Sequence, residues 1–463
     1  MTAKEPSITI KSPANRAKTH STLPPPELAV LVAVETPHSR VLFPTADSVA
    51  ELGQLAAAAG AEVVGEIIQR LDSPSSSHYL GKGKLTELQD LVLATESTVV
   101  FFDDELSPTQ QRNLEAALKV KVLDRTALIL DIFARRAATR EGQLQVELAQ
   151  HEYLLPRLSG QWSHLERLGG GIGTRGPGES QLESDRRLIR VRIERLKRDL
   201  ADVRRHRQLH RRRRAVRGVP VVALVGYTNA GKSTLLNAIA KANVLAEGKV
   251  FATLDPTTRR IKLPSQREVL LTDTVGFIQK LPTHLVAAFR ATLEELAEAA
   301  LLLHVFDISH SRASEQAQTV DEVLATLDLG DKPVLMVANK VDRLAPDGLS
   351  DEDAANLQAL AVLGSGGSEV ALVSAEKGWG LDSLIQKITG LLGQDMVEIT
   401  VTIPYNKPAL LQLFRRYGQV LQERHQNDGT LVHGRVPPHM EPRLAAYVKR
   451  PPAPRKATVK AAG

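Results

Sequence analysis

Apolar and polar positions along this chain follow two rhythms, and the changes between them divide it. In the first third, short apolar runs alternate with stretches at helical spacing. Strands are expected at 28–34, 61–68 and 98–103, and helices at 48–59, 84–93 and 107–118, with Ser107 as a cap. That alternation predicts a compact α/β domain over 27–140. Helical spacing then takes over from 141 to 217. Leu144, Leu148, Leu155 and Leu158 mark one helix, while Ile189, Ile193, Leu196, Leu200 and Val203 alternate steps of four and three, a coiled-coil seam. The two are expected to pair as a hairpin, joined by a glycine-rich loop at 169–179 that has no apolar core of its own. Apolar strands return in 218–393, and a half-buried strand (397–403), a helix (408–417), a hairpin around Asn427-Asp428-Gly429 and a last helix (440–448) make a small α+β domain over 394–450. Residues 1–26 and 451–463 read as polar, proline-containing tails.

Composition narrows the picture. An apolar content of 43% over 463 residues suits a folded soluble protein of about three domains. No run nears the ~18 apolar residues of a membrane span, and residues 1–26 lack a secretory core, so a cytoplasmic monomer without a membrane span is expected. With no cysteine there are no disulfides and no thiolate metal sites. Net charge is +6, but its placement says more: from Arg186 to Arg217 there are fifteen Lys or Arg against three acidic residues. This block, with Arg186, Arg187 and Arg211, Arg212, Arg213, Arg214, reads as a nucleic-acid footprint, and Gly170, Gly171 and Arg175 of the glycine-rich loop suit close approach to a backbone-rich partner. The alternatives are a solvated charged face and a flexible connection.

Four motifs carry the chemistry. The apolar run 219–225 leads into Gly226-Tyr227-Thr228-Asn229-Ala230-Gly231-Lys232-Ser233-Thr234 and then a helical pattern, the phosphate-binding P-loop in its required setting. Its glycines let backbone N–H groups face phosphate oxygens, Lys232 adds charge for the outer phosphates, and the Ser233 hydroxyl suits Mg²⁺. Asp273-Thr274-Val275-Gly276 ends a second strand. Its carboxylate can hold a water on Mg²⁺, and its glycine N–H can meet a γ-phosphate. Asn339-Lys340-Val341-Asp342 ends a third, where the last carboxylate can accept from both donors of guanine and reject adenine. Ser374-Ala375 closes the base pocket from a fourth. Four motifs in this order, each at the C-terminal end of a strand, indicate a doubly wound domain that binds GTP with Mg²⁺.

The chain resembles the HflX family of ribosome-associated GTPases of the translation-factor-related class. The resemblance runs from about Leu28 to Val448 and rests on Tyr79-Leu-Gly-Lys-Gly-Lys84, Phe102-Asp-Asp-Glu-Leu-Ser107, the stretch from Val122 to Phe133, the Gly169 to Glu179 loop, Phe251-Ala252-Thr253-Leu254-Asp255 and Asp273 to Phe277. Taken alone, the first of these is better read as a helix-initiating turn than as a second phosphate loop. The resemblance implies an α/β multidomain protein: an α/β domain and a helical hairpin, then a doubly wound P-loop GTPase domain, then a small α+β domain. It also implies a switch built from Phe251 to Asp255, with Thr253 on Mg²⁺ beside Ser233 and Asp273. The implied partner is the 50S subunit with its 23S rRNA, and the implied role is to split or rescue 70S ribosomes under stress. Some members hydrolyse ATP and remodel RNA through the N-terminal region. An RNA-modification or RNA-remodelling partner and a protein-binding signalling GTPase are the other readings.

One position departs from the small signalling GTPases, which keep a Gln directly after the glycine of Asp-x-x-Gly. Here it is Phe277, which neither donates nor accepts. Hydrolysis is therefore expected to rest on Lys232, Thr253, the Gly276 backbone and help from outside, slow alone and stimulated by ribosomes. Asn229 resembles the P-loop residue of GTPases that use K⁺ in place of an arginine finger; the alternative is that it merely caps the loop.

Overall fold

A computed structural model describes residues 26–37, 43–158, 181–217, 219–240, 251, 253–265, 267–280, 296–346, 348, 350–364, 369–393, 396–437 and 440–448. The N-terminal region builds a parallel sheet from β1 (Glu27–Glu35), β2 (Ala61–Arg70), β3 (Val99–Phe102) and β4 (Lys121–Asp124), in the order β2-β1-β3-β4. Burial explains its apolar strands. Ala29, Leu31, Ala33, Val99 and Phe101 face α1 (Thr45–Ala58) and α4 (Arg125–Arg136), while Val30, Val32, Val34, Val100 and Phe102 face α2 (Lys82–Ala94) and α3 (Pro108–Leu118). Ser107 caps α3 in a reciprocal pair with Gln110: the Gln110 N–H donates to Ser107 Oγ at 3.2 Å, and the Ser107 N–H donates to Gln110 Oε1 at 2.9 Å. The apolar pattern predicts neither β4 nor α4, because no turn residues separate them. Asp124 ends the strand and at once caps the helix, accepting from the Ala127 N–H at 2.9 Å. The Tyr79 to Lys84 stretch is indeed a helix-initiating turn, with Gly81 directly before α2.

The hairpin consists of α5 (Arg140–Leu154) and α6 (Gln181–Arg217). Leu148, Ile193, Leu196 and Leu200 are buried together, with Leu144, Leu155 and Ile189 half-buried against them. Leu158 lies beyond the helix expected to hold it, since the chain tightens at Pro156 into the 3-10 turn Leu155–Arg157. Arg192 pairs with Glu147 at 2.5 Å and Lys197 with Glu152 at 3.2 Å across the hairpin. Gly170, Gly171 and Arg175 fall outside the described residues.

The second sheet comprises β5 (Val221–Val225), β6 (Thr257–Lys262), β7 (Glu268–Asp273), β8 (Leu301–Asp307), β9 (Val334–Asn339) and β10 (Val370–Leu372), in the order β10-β9-β8-β5-β7-β6. Only β6 runs antiparallel to its neighbour. Each expected motif therefore stands at the C-terminal end of a parallel strand, where open α/β sheets receive ligands. A three-stranded antiparallel sheet, β11 (Val397–Ile403), β12 (Gln419–Gln426) and β13 (Gly429–Val436), closes the chain, with helix Pro408–Tyr417 against it. The last helix is shorter than the pattern suggests, running Glu441–Leu444 and continuing as the 3-10 turn Ala445–Tyr447. One apolar core runs from the N-terminal sheet into the domain of the six-stranded sheet, joining Leu31 and Phe133 to Tyr227, Phe251 and Phe277.

Candidate nucleotide-binding site

The ends of β5, β7, β9 and β10 surround a cavity of about 340 Å³. The P-loop forms its floor between β5 and α7 (Lys232–Ala240). Gly231 takes a φ of +95°, and a Cβ there would stand 2.2 Å from Asn339 Nδ2, so loop and base strand touch with no space for a side chain. Lys232 is buried, and its Nζ donates to the Gly226 and Tyr227 carbonyls at 2.9 and 2.8 Å. Burial pulls its ammonium down to about 8, against the pull of Asp273.

Three oxygens converge at one side. Ser233 Oγ donates to Asp273 Oδ2 at 2.6 Å, Thr253 Oγ1 donates to the same oxygen at 2.8 Å, and the two hydroxyls lie 2.8 Å apart. Asp273 Oδ1 is buried with no hydrogen-bond partner, and burial raises the carboxyl's affinity for its proton although Lys232 opposes this. An all-oxygen set with an orphaned carboxylate oxygen fits a hard cation that keeps several waters, as Mg²⁺ does. The described residues contain no group of three or more His, Cys, Asp or Glu that could hold a metal ion.

At the other end, Asn339 ties three segments: Nδ2 donates to the Ala230 carbonyl at 2.8 Å, and Oδ1 accepts from the Ala375 N–H at 3.0 Å. Lys340 Nζ reaches the Asn229 carbonyl at 2.8 Å and Asp307 Oδ2 at 2.7 Å. Asp342 lines the cavity, and its carboxylate carries no partner among the described residues. Ser374 is fully buried, its Oγ accepting from the Lys377 N–H at 3.1 Å. Arg343 and Glu376 also line the cavity; each directly follows a motif residue, and that adjacency was the signal available in the sequence.

The structure gathers Thr228, Asn229, Gly231, Lys232, Ser233, Thr234, Phe251, Thr253, Thr274, Gly276, Asn339, Lys340, Asp342 and Ala375 at the cavity wall. Ala252 lies outside the described residues. Leu254 and Val275 turn into the apolar core, Val341 is buried, and Asp255 turns to the N-terminal region. Tyr227 does the same. Its ring is buried, its hydroxyl donates to Glu51 Oε1 at 2.6 Å and accepts from the Gln279 N–H at 2.9 Å. Behind it, buried Arg125 reaches Glu51 and, at 2.8 Å, Asp103; Lys280 reaches Asp103 at 2.5 Å and Asp104 at 2.6 Å. Burial alone would raise the Asp103 carboxyl, but Arg125 and Lys280 hold it below the ordinary carboxylate range. Arg186 and Arg187 lie early on α6 and Arg211 to Arg214 near its end.

Three protein families match the chain in succession: "GTP-binding GTPase N-terminal" over residues 46–134, "GTP-binding GTPase Middle Region" over 136–214 and "50S ribosome-binding GTPase" over 221–340. A GTPase HflX of Lacrimispora saccharolytica is 47% identical over 419 residues, covering 90% of this chain and 96% of that one. The GTPase HflX of Escherichia coli K12 is 44% identical over 382 residues, covering 82% and 87%. Among solved structures, a GTP-binding protein from Sulfolobus solfataricus in complex with GDP is 25% identical, covers 80% of this chain and 99% of that one, and superposes with a TM-score of 0.42.

Proposed function

The chain belongs to the HflX family of GTPases, and from that premise we propose that it binds the 50S subunit, contacting 23S rRNA, in its GTP-bound state and splits or rescues 70S ribosomes under stress. It is a GTPase of a ribosome-associated class, and no helix among its described residues is long and apolar enough to cross a membrane. The observation that supports an RNA partner is α6, a 37-residue helix that carries the whole basic block from Arg186 to Arg217 and leans on α5.

In this reading guanine lies against Asn339, Asp342 and Ala375, and the phosphates lie over the P-loop N–H groups with Lys232 on the outer two. Ser233 and Thr253 would hold Mg²⁺, and Asp273 would hold one of its waters. Bound there, Mg²⁺ neutralises charge on the outer phosphates. Thr253 and the Gly276 N–H fix the γ-phosphate, so the switch segments are set by its presence. Asn229, at the mouth of the cavity, is where K⁺ or a partner's cation enters.

Sedimentation with 50S subunits tests this. Binding is expected with a non-hydrolysable GTP analogue and not with GDP, falling steeply with salt as phosphate contacts are lost. Replacing Arg211 to Arg214 by Ala should weaken it while GTP still binds. Failure to sediment with subunits in either nucleotide would falsify the ribosomal reading, and unchanged sedimentation of the arginine variant across a salt series would reduce the block to a solvated face.

A further inference from the structure

The switch segment is fastened to the N-terminal region on both sides of Thr253. Upstream, the Phe251 ring meets Phe133 of α4 edge-on with 4.6 Å between centroids, and Phe251 holds a left-handed backbone at φ 56°, uncommon for a bulky residue. Downstream, Asp255 turns its carboxylate onto the joint between α4 and α5. Its Oδ2 accepts from the Ala138 N–H at 2.8 Å and the Thr139 N–H at 2.7 Å, and its Oδ1 accepts from Thr139 Oγ1 at 2.5 Å. Thr139 is the N-cap of α5, its Oγ1 accepting in turn from the Gly142 N–H at 3.0 Å. The contact is closely fitted: a Cβ at Gly142 would stand 2.4 Å from Asp255 Oδ1. A carboxylate at this end of a helix is also favoured by the helix dipole.

Position gives the contact its meaning. α4 enters the N-terminal core through Leu128, Ile129, Ile132 and Phe133, and α5, which opens the hairpin and carries α6, packs into the same core through Val146, Ala149 and Tyr153. Only residues 137–139 separate α4 from α5, and Asp255 grips two of them. Two residues before Asp255, Thr253 shares the oxygen cluster of Ser233 and Asp273. A helix of 37 residues is roughly 55 Å long at 1.5 Å per residue. A few degrees at the joint therefore displace its far end by several ångströms.

We propose that Asp255 is the positioning residue that carries the nucleotide state from the switch to the base of the helical hairpin. The proposal rests on the reading above only in taking Thr253 to follow the outer phosphate and Mg²⁺; the ribosome has no part in it. With the outer phosphate in place, Thr253 is drawn to Ser233 and Asp273, and Asp255 holds the joint as described. Without it, the segment between Phe251 and Asp255 loses its central anchor and the joint relaxes.

Because the chain has no cysteine, two labels can be placed cleanly. Arg198→Cys on α6 and Glu322→Cys on helix Ala313–Thr326 are both exposed, and spin labels there report the hairpin's position against the GTPase domain. Distances are read with Mg²⁺ and either GDP or a non-hydrolysable GTP analogue, each at a concentration shown by titration to saturate that variant. The unmodified switch is expected to give two distinct distributions. Asp255→Ala should collapse them into one, Asp255→Asn should narrow their separation, and Thr139→Val, which removes the hydroxyl from the other side of the contact, should narrow it likewise. Saturable nucleotide binding shows that each variant is folded. Equal distributions in the two nucleotides before any switch mutation, or a full separation that survives Asp255→Ala, would overturn the proposal. Loss in Asp255→Ala with full retention in Thr139→Val would overturn it too, because the effect would then lie in the pocket. If the distances behave as expected but the protein does not sediment with 50S subunits, the device stands and the ribosomal reading falls.

Discussion

Two crevices open at the carboxyl ends of the parallel strands of two sheets, and they are filled in opposite ways. In the N-terminal sheet the strand order reverses between β1 and β3, the place where open α/β sheets take ligands. The cavity there, about 530 Å³, is lined by Ser48, Tyr79, Asp103 and Asp104, and also by Lys280 and Arg312 from the GTPase domain. Lys280 bridges both carboxylates, Ser48 donates to Asp103 at 2.7 Å and Tyr79 donates to Asp104. In the GTPase sheet, Asp273 Oδ1 and the Asp342 carboxylate have no partner among the described residues, and Lys232 has only carbonyls. Polar atoms that the chain itself satisfies, as it does here for all of these groups but the buried Nε of Arg125 behind them, make a joint. Those it leaves open mark a place for something from outside.

The largest expected effect tests whether the GTPase crevice is complete. No group in it replaces the missing Gln among the described residues, so GTP hydrolysis by the free protein should be slow and should rise by roughly 10³ to 10⁵ when a partner supplies charge. Single-turnover rates with and without 50S subunits, in Na⁺ and in K⁺, measure this. Rapid turnover in Na⁺ that neither addition improves means the catalytic group is already in the chain.

The joint should break through Arg125. Arg125→Met takes the shared cation from half-buried Glu51 and buried Asp103, leaving Asp103 to Lys280 alone, and losing one partner of a buried pair costs about 3–5 kcal/mol. Thermal melts should show that loss with or without GDP. A change within error would mean that water replaces the guanidinium and the seam is looser than its distances imply.

At the open crevice, Asp342→Asn exchanges the carboxylate for an amide. A hydrogen bond to a charged group contributes about 1.5–3 kcal/mol, so GTP affinity should fall by roughly one to two orders of magnitude while xanthosine triphosphate gains. Competition titrations decide it, and unchanged selectivity removes Asp342 from the base site.

The open crevice was legible from sequence and the joint was not, for a physical reason. A P-loop, an Asp-x-x-Gly and an Asn-Lys-x-Asp are local patterns, and each stands after an apolar strand that announces itself. Glu51, Asp103, Arg125, Tyr227 and Lys280 are scattered over more than two hundred positions, and apart they look like ordinary helix or loop residues. Only the fold brings them together. Tyr227 shows the limit most clearly: it sits inside the best motif in the chain, yet its side chain serves the neighbouring domain. Asp255 stands within a family motif, and its spacing from Thr253 carries no sign that it turns the other way.

The smallest expected effect concerns the residue that stands where the Gln is missing. Phe277 belongs to the crevice by its backbone and to the joint by its ring. Its N–H donates to the Gly226 carbonyl at 3.1 Å and its carbonyl accepts from the Thr228 N–H at 2.8 Å, while the ring is buried in the core shared by the two domains. A side chain held there cannot orient a water over the phosphates. Phe277→Leu keeps an apolar group of similar bulk and should cost less than about 1.5 kcal/mol, with the single-turnover rate of the free protein changed by less than about threefold. Phe277→Gln should not accelerate hydrolysis either, since its amide would enter the apolar core rather than the cavity, and its cost should appear as lost stability. A rate gain of tenfold or more in Phe277→Gln, measured at saturating GTP, would mean that the side chain at this position swings into the cavity during turnover and that the ring's burial belongs to only one state of the switch.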